Sequence, residues 1–132
     1  MSSDNMAGRR ILVVEDETII AMTIEDALHD LGCVVVGPVG KLDAALLLAR
    51  DEALDAAVLD VTIRGGKVYP VAEELRARGV PFVLASGYGD WALPDSLQNM
   101  PRLTKPFTEH ELEEQVRLLV AKTSGRTEAS PS

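Results

Sequence analysis

Ile11-Leu12-Val13-Val14, followed at once by Glu15-Asp16, is the stretch on which the fold turns. Four apolar residues in unbroken succession, three of them β-branched, suit a strand covered on both faces, whereas a half-exposed strand would alternate. Four more such runs follow, at 34–36, 56–59 and 81–85 and, more weakly, at 102–104. Helical spacing fills the intervals. Ile20, Ile24, Ala27, Leu28 and Leu31 recur every three or four residues before Gly32, and Leu42, Ala45, Leu46 and Ala49 do the same. A third helix is predicted over 69–78, with Pro70 in its first turn and Gly79 just past its end. The last opens on the capping pattern Thr108-x-x-Glu111 and continues through Leu112, Val116, Leu119 and Val120. A helix around Trp91 to Leu97 is the weakest, because Pro94 interrupts it.

Strands alternating with helices imply right-handed crossovers and a parallel sheet with helices on both faces, an α/β fold of the doubly wound kind; five strands would fit the flavodoxin-like order 2-1-3-4-5. One domain over 10–121 is expected, with a flexible segment at 1–9 and a flexible polar tail at 122–132. In such sheets the site lies beyond the carboxyl ends of the strands, beside the point where the strand order reverses.

Composition narrows the function. The 132 residues suffice for one core without staples, and the net charge of −8 with no cluster of Lys and Arg argues against a nucleic-acid surface. Cys33 has no second cysteine to pair with, residues 1–10 lack the apolar centre of a signal peptide, and no apolar run nears the roughly 18 to 20 residues of a membrane helix. A cytoplasmic protein without membrane insertion is expected.

At the predicted strand ends stand Glu15 and Asp16, Asp60, Ser86 and Lys105. Three carboxylates converging on one edge would repel one another unless a hard divalent cation such as Mg²⁺ took their oxygens. Asp60 could then attack a phosphoryl donor, with the Lys105 ammonium and the Ser86 hydroxyl stabilising the phosphoryl oxygens. Taken singly each residue has a plainer reading: Asp16 as a helix cap, Glu15 as its solvated neighbour, Asp60 and Ser86 as turn residues, Lys105-Pro106 as a loop dipeptide. The joint occurrence at one edge favours chemistry over decoration.

On these residues the chain resembles the receiver domains of two-component response regulators, over roughly residues 10–121. The resemblance implies a phospho-acceptor switch rather than an enzyme, though one able to assist its own phosphotransfer and dephosphorylation. Asp60 would be the acceptor, and Mg²⁺ would be held by Glu15, Asp16, Asp60 and the backbone carbonyl of Thr62. Leu84-Ala85-Ser86-Gly87-Tyr88-Gly89 is similar to the Phe-Ala-Thr-Gly-Tyr-Gly stretch of a stand-alone subgroup, with two of six positions different. The run from Gly65 to Ala72 looks like that subgroup too. Its partners are often HWE-type sensor histidine kinases, so a kinase or phosphotransfer protein upstream and protein contact downstream are implied.

The chain departs from the family in two places. Thr62-Ile63-Arg64-Gly65 replaces the Met and Pro that often follow the acceptor, and Arg102 stands where many receivers carry a rotating aromatic. Tyr88 is the expected substitute reporter, because Gly87 and Gly89 free the backbone around it. Three rivals remain: a pseudo-receiver that binds without phosphorylation; an Asp-nucleophile phosphatase of the haloacid-dehalogenase type, which needs a second Asp where Thr62 stands; and a flavin carrier, for which no phosphate-cradling loop follows the first strand. His29 and His110 read as surface residues and Cys33 as a small buried hydrophobe; Trp91 reads as either a core or a binding residue.

Overall fold

In the structure, a computed structural model that describes residues 6–87 and 93–129, the five apolar runs become one parallel sheet. Its strands are β1 (Arg10–Val14), β2 (Val34–Val39), β3 (Ala56–Asp60), β6 (Phe82–Ser86) and β7 (Arg102–Thr104). Their spatial order is β2-β1-β3-β6-β7, which is the expected 2-1-3-4-5 counted over the five strands. Four helices connect or follow them: α1 (Thr18–Asp30), α2 (Leu42–Asp51), α3 (Tyr69–Arg78) and α4 (Glu109–Ala129).

The period of two in each strand divides the core. Leu12, Val14, Ala57, Leu59 and Leu84 join Ala45 and Ala49 of α2 and Val71 and Leu75 of α3 in one cluster. Ile11, Val13, Val58, Val83 and Ala85 join Ile24 and Leu28 of α1 and Leu112, Val116 and Leu119 of α4 in the other. The chain between the apolar runs is thus helical because each helix covers one face of the sheet. Gly79, at φ 74, ends α3 in the left-handed region that a side chain disfavours. The cap of α4 is reciprocal: the Glu111 N–H donates to Thr108 Oγ1 at 3.0 Å, and the Thr108 N–H donates to Glu111 Oε1 at 2.8 Å.

Three features differ from the sequence-based expectation. Met6, placed in a flexible segment, is 1% exposed and packs in the cluster beneath α1 and α4, where the Cys33 thiol also donates to its carbonyl. One apolar residue among polar ones gives no periodicity, so its burial had no local signal. At the other end α4 continues to Ala129, past the boundary at 121. Among the described residues of 91–97, only Asp95–Leu97 is helical, as a short 3-10 turn, consistent with Pro94 ahead of it.

An unexpected hairpin follows β3. β4 (Thr62–Ile63) pairs antiparallel with β5 (Gly66–Lys67), and the Arg64 N–H and carbonyl bond to Gly40 and Leu42 at 3.0 and 2.9 Å. The loop after the acceptor position is therefore stitched to the loop between β2 and α2.

Because Met6 is fully enclosed, Met6→Ala is expected to lower the unfolding free energy by about 2 kcal/mol or more, the usual cost of emptying such a site. Urea titration followed by circular dichroism measures it, and a loss near zero would return Met6 to a mobile segment.

Candidate functional site

All five strands run the same way, so their carboxyl ends share one edge, and the expected site residues meet there. Glu15 and Asp16 follow β1, Asp60 ends β3, Ser86 ends β6 and Lys105 follows β7. Main-chain bonds lock the neighbouring ends together: the Glu15 N–H donates to Val39 O at 2.9 Å, Val61 to Ala85 at 3.0 Å and Lys105 to Ser86 at 2.8 Å. Gly40 completes the frame by a close approach, since a Cβ there would stand 2.8 Å from the Asp16 Cα. The Lys105–Pro106 peptide is cis.

Lys105 is the hub. Its Nζ lies 3.2 Å from Asp60 Oδ2, 3.0 Å from Glu15 Oε1 and 3.5 Å from Glu17 Oε1. Asp60 Oδ1 accepts the Thr62 N–H at 3.4 Å, and Glu15 Oε2 accepts the Glu17 N–H at 3.1 Å. Glu15 and Asp60 are buried, at 3% and 6% exposure, while Asp16 is partly exposed.

One ammonium does not satisfy this set. Ligand oxygens of Glu15, Asp16 and Asp60 lie within 4.8 Å of one another, the one such acidic group among the described residues. Glu15 Oε1 is buried and, despite the 3.0 Å ion pair, is not aligned to accept a hydrogen bond from Lys105. Three close carboxylates with an orphaned buried oxygen have the donor set of a hard divalent cation, so the residues fit a metal such as Mg²⁺.

Protonation follows from the same crowding. Burial first, and then the Asp60 charge, push Glu15 up to about 7, against the lowering pull of Lys105 and the Glu17 N–H. Burial also raises Asp60, opposed by Lys105, by a hydrogen bond with Glu15 and by the Thr62 N–H. Burial alone would lower Lys105, but its bonds to Glu15 and the charges of Asp60 and Glu15 outweigh it and hold the ammonium above its ordinary value.

The Arg102 guanidinium donates to the Gln98 carbonyl at 2.9 Å on the exposed start of β7. Ser86 is buried at the end of β6. Thr62 is exposed in β4, and its hydroxyl accepts from Lys67 Nζ at 2.8 Å. Tyr88 and Trp91 lie outside the described residues. His29 and His110 are exposed on α1 and α4, and Cys33 is buried beside β2. Sequence reading overlooked Glu17, whose only signal was the unbroken run Glu15-Asp16-Glu17. Among the described residues, no helix is long and apolar enough to cross a membrane.

No family model matches the chain. SdrG from Sphingomonas melonis Fr1 is 42% identical in its solution structure, with a TM-score of 0.75, over 91% of this chain and 99% of that one. The receiver domain of sensor histidine kinase PA1611 from Pseudomonas aeruginosa, solved with a magnesium ion coordinated in its active-site cleft, is 27% identical over 87% of this chain and 99% of that one, with a TM-score of 0.73. The chain belongs to the response-regulator receiver domains. Among curated relatives of this receiver, the two-component response regulator PhoP of Pseudomonas aeruginosa is 28% identical over 88% of this chain and 53% of its own length. The receiver spans about half to 60% of the length of such relatives.

A carboxyl whose folded-state value is raised binds a proton that the unfolded chain has already lost, so it stabilises the fold at low pH and ceases to do so as pH rises. With chelator present, thermal stability is expected to fall between pH 4.5 and about 7 and then to level off, as Glu15 ionises. In Glu15→Gln the decline should be shallower. A melting profile in EDTA with equal slopes for both proteins would contradict the assignment.

Proposed function

We propose that the receiver accepts a phosphoryl group on Asp60 from a sensor histidine kinase, HWE-type, or from a phosphotransfer protein, in a Mg²⁺-dependent reaction in the cytoplasm. The observation that carries this reading is the Lys105 ammonium 3.2 Å from the carboxylate of Asp60, inside a cluster of acids that fits a divalent cation. In the transfer an Asp60 oxygen forms a bond to phosphorus while the bond from phosphorus to the donor imidazole breaks. The electron pair stays on the imidazole nitrogen.

Residues of this chain do four jobs. The Thr62 N–H at Asp60 Oδ1 orients the nucleophile. Lys105, already charged and already close, offsets the negative charge that gathers on the phosphoryl oxygens, and Ser86 supplies a hydroxyl from the adjoining strand end. Burial of Asp60 excludes water from one side of the carboxylate. Glu15, Asp16, Asp60 and the Thr62 carbonyl would hold Mg²⁺, which when bound neutralises charge on the acids and the phosphoryl group. The magnesium of the PA1611 receiver domain supports that ligand chemistry. The likeness to SdrG, matched over 99% of its chain, supports a stand-alone receiver that signals by protein contact, as a switch rather than an enzyme.

Incubation with acetyl phosphate and Mg²⁺ is expected to add one base-labile phosphoryl group by intact-mass spectrometry. Asp60→Asn should abolish it, and undiminished labelling of that variant would refute the acceptor. Asp16→Ala is expected to lose Mg²⁺-dependent labelling and, freed of a like charge, to melt no lower than the native chain in EDTA. Normal labelling of Asp16→Ala would remove that residue from the metal site.

A further inference from the structure

Glu17 occupies the N-cap of α1, with extended φ and ψ of −90 and 115, yet its side chain makes no capping bond to the helix it precedes. Acidic N-caps ordinarily accept an N–H from the first turn and stabilise the helix by doing so. Here the carboxylate turns the other way, to 3.5 Å from Lys105 Nζ, while its own N–H holds Glu15 Oε2 at 3.1 Å. The side chain is 64% exposed and, with Ile20, Thr23, Lys105, Pro106 and Phe107, lines a groove of about 400 Å³. An ion pair so exposed adds little to stability, so holding the fold does not account for the diversion.

We propose that Glu17 is a specificity-determining residue of phosphoryl acceptance: its carboxylate at the rim beside Lys105 sorts phosphodonors by their net charge. This rests on Asp60 being the acceptor. A donor reaching Asp60 must bring its phosphoryl oxygens to Lys105, and Glu17 shares that ammonium and adds a negative charge at the same place. The penalty grows with the negative charge of the donor. A dianionic donor is disfavoured more than one whose leaving group carries a proton. Glu17 also keeps Lys105 among the acids until a phosphoryl group claims it, which makes it a positioning residue for the lysine.

Acetyl phosphate and phosphoramidate separate the charge effect from the chemistry. With either, an Asp60 oxygen bonds to phosphorus as the donor bond breaks, and the electron pair departs with acetate in one case and with ammonia in the other. The first donor is a dianion near neutral pH and the second a monoanion with a protonated nitrogen. Leaving-group differences cancel when each donor is compared between variants.

The experiment measures second-order phosphorylation rates with both donors, at saturating Mg²⁺, for the native chain, Glu17→Gln and Glu17→Asp. In Glu17→Gln the ratio of the acetyl phosphate rate to the phosphoramidate rate is expected to rise about threefold, the scale of one screened unit charge. Glu17→Asp, which keeps the charge, should stay near the native ratio, and the rise should shrink as salt increases from about 0.01 M to 1 M. In the metal-free protein Glu17→Gln should also shift the ¹⁵Nζ resonance of Lys105. An unchanged ratio, or equal acceleration with both donors, overturns the proposal while leaving Asp60 as acceptor. Failure of the native chain to take phosphate from either donor overturns the acceptor reading and this one together.

Discussion

Electrostatic repulsion at the carboxyl edge of the sheet is the constraint around which the rest is arranged. Oxygens of three carboxyls lie within 4.8 Å of one another. At an effective dielectric of about 20, two such charges at that separation repel by roughly 3 kcal/mol, a large fraction of what a domain of this size has to spare. The chain relieves this in two ways without a metal. Lys105 contacts Glu15 and Asp60 at once, and Glu15 retains a proton up to a pH of about 7. Both are incomplete, as the unbonded Glu15 Oε1 shows. The site is poised for added positive charge because the fold never fully neutralises it.

Such a site needs a rigid frame, and the two core clusters supply it. Each strand sends alternate residues into two differently shaped clusters, and a slip of one residue would swap the two sets and carry the polar strand ends into the core, so the register of β1, β3 and β6 is fixed over most of their length. Fixing the register fixes the ends. Asp60 sits opposite Ala85 and Ser86 opposite Thr104, so Asp60, the Ser86 hydroxyl and Lys105 are neighbours by construction. The hairpin of β4 and β5 extends this frame outward, tying Thr62 through Arg64 to Gly40, whose lack of a side chain admits Asp16. The Thr62 N–H thereby couples the Asp60 carboxylate to β4.

What the sequence made legible follows from physical range. Unbroken apolar runs and three- and four-residue spacing report local burial, so five strands and four helices could be read from them, while the strand order rested on the rules for alternating strands and helices. Strand-end polar residues were legible because parallel strands must end together. Met6 was not, since its burial depends on α1 and α4 closing over it. The hairpin was missed because two-residue strands are too short to alternate, and only Gly65-Gly66 marked the turn. Glu17 carried no local signal of its own; only the tertiary placement of Lys105, 88 positions away, gives it a partner.

The position of Lys105 also bears on how a signal could leave the site. It belongs to the link between β7 and α4, and its three acidic contacts are Asp60 at the end of β3 and Glu15 and Glu17 in the link between β1 and α1. Any new anion on Asp60 competes with Glu15 and Glu17 for the same ammonium. An ammonium has three donors and this one already faces three carboxylates, so any further acceptor at Asp60 would compete with its contacts to Glu15 and Glu17. With Asp60 as the proposed acceptor, this competition would loosen the contacts between Lys105 and the link from β1 to α1, bordering the groove of Ile20, Pro106 and Phe107. Arg102, exposed at the start of β7 and bonded to the Gln98 carbonyl, offers no aromatic ring to turn at that position.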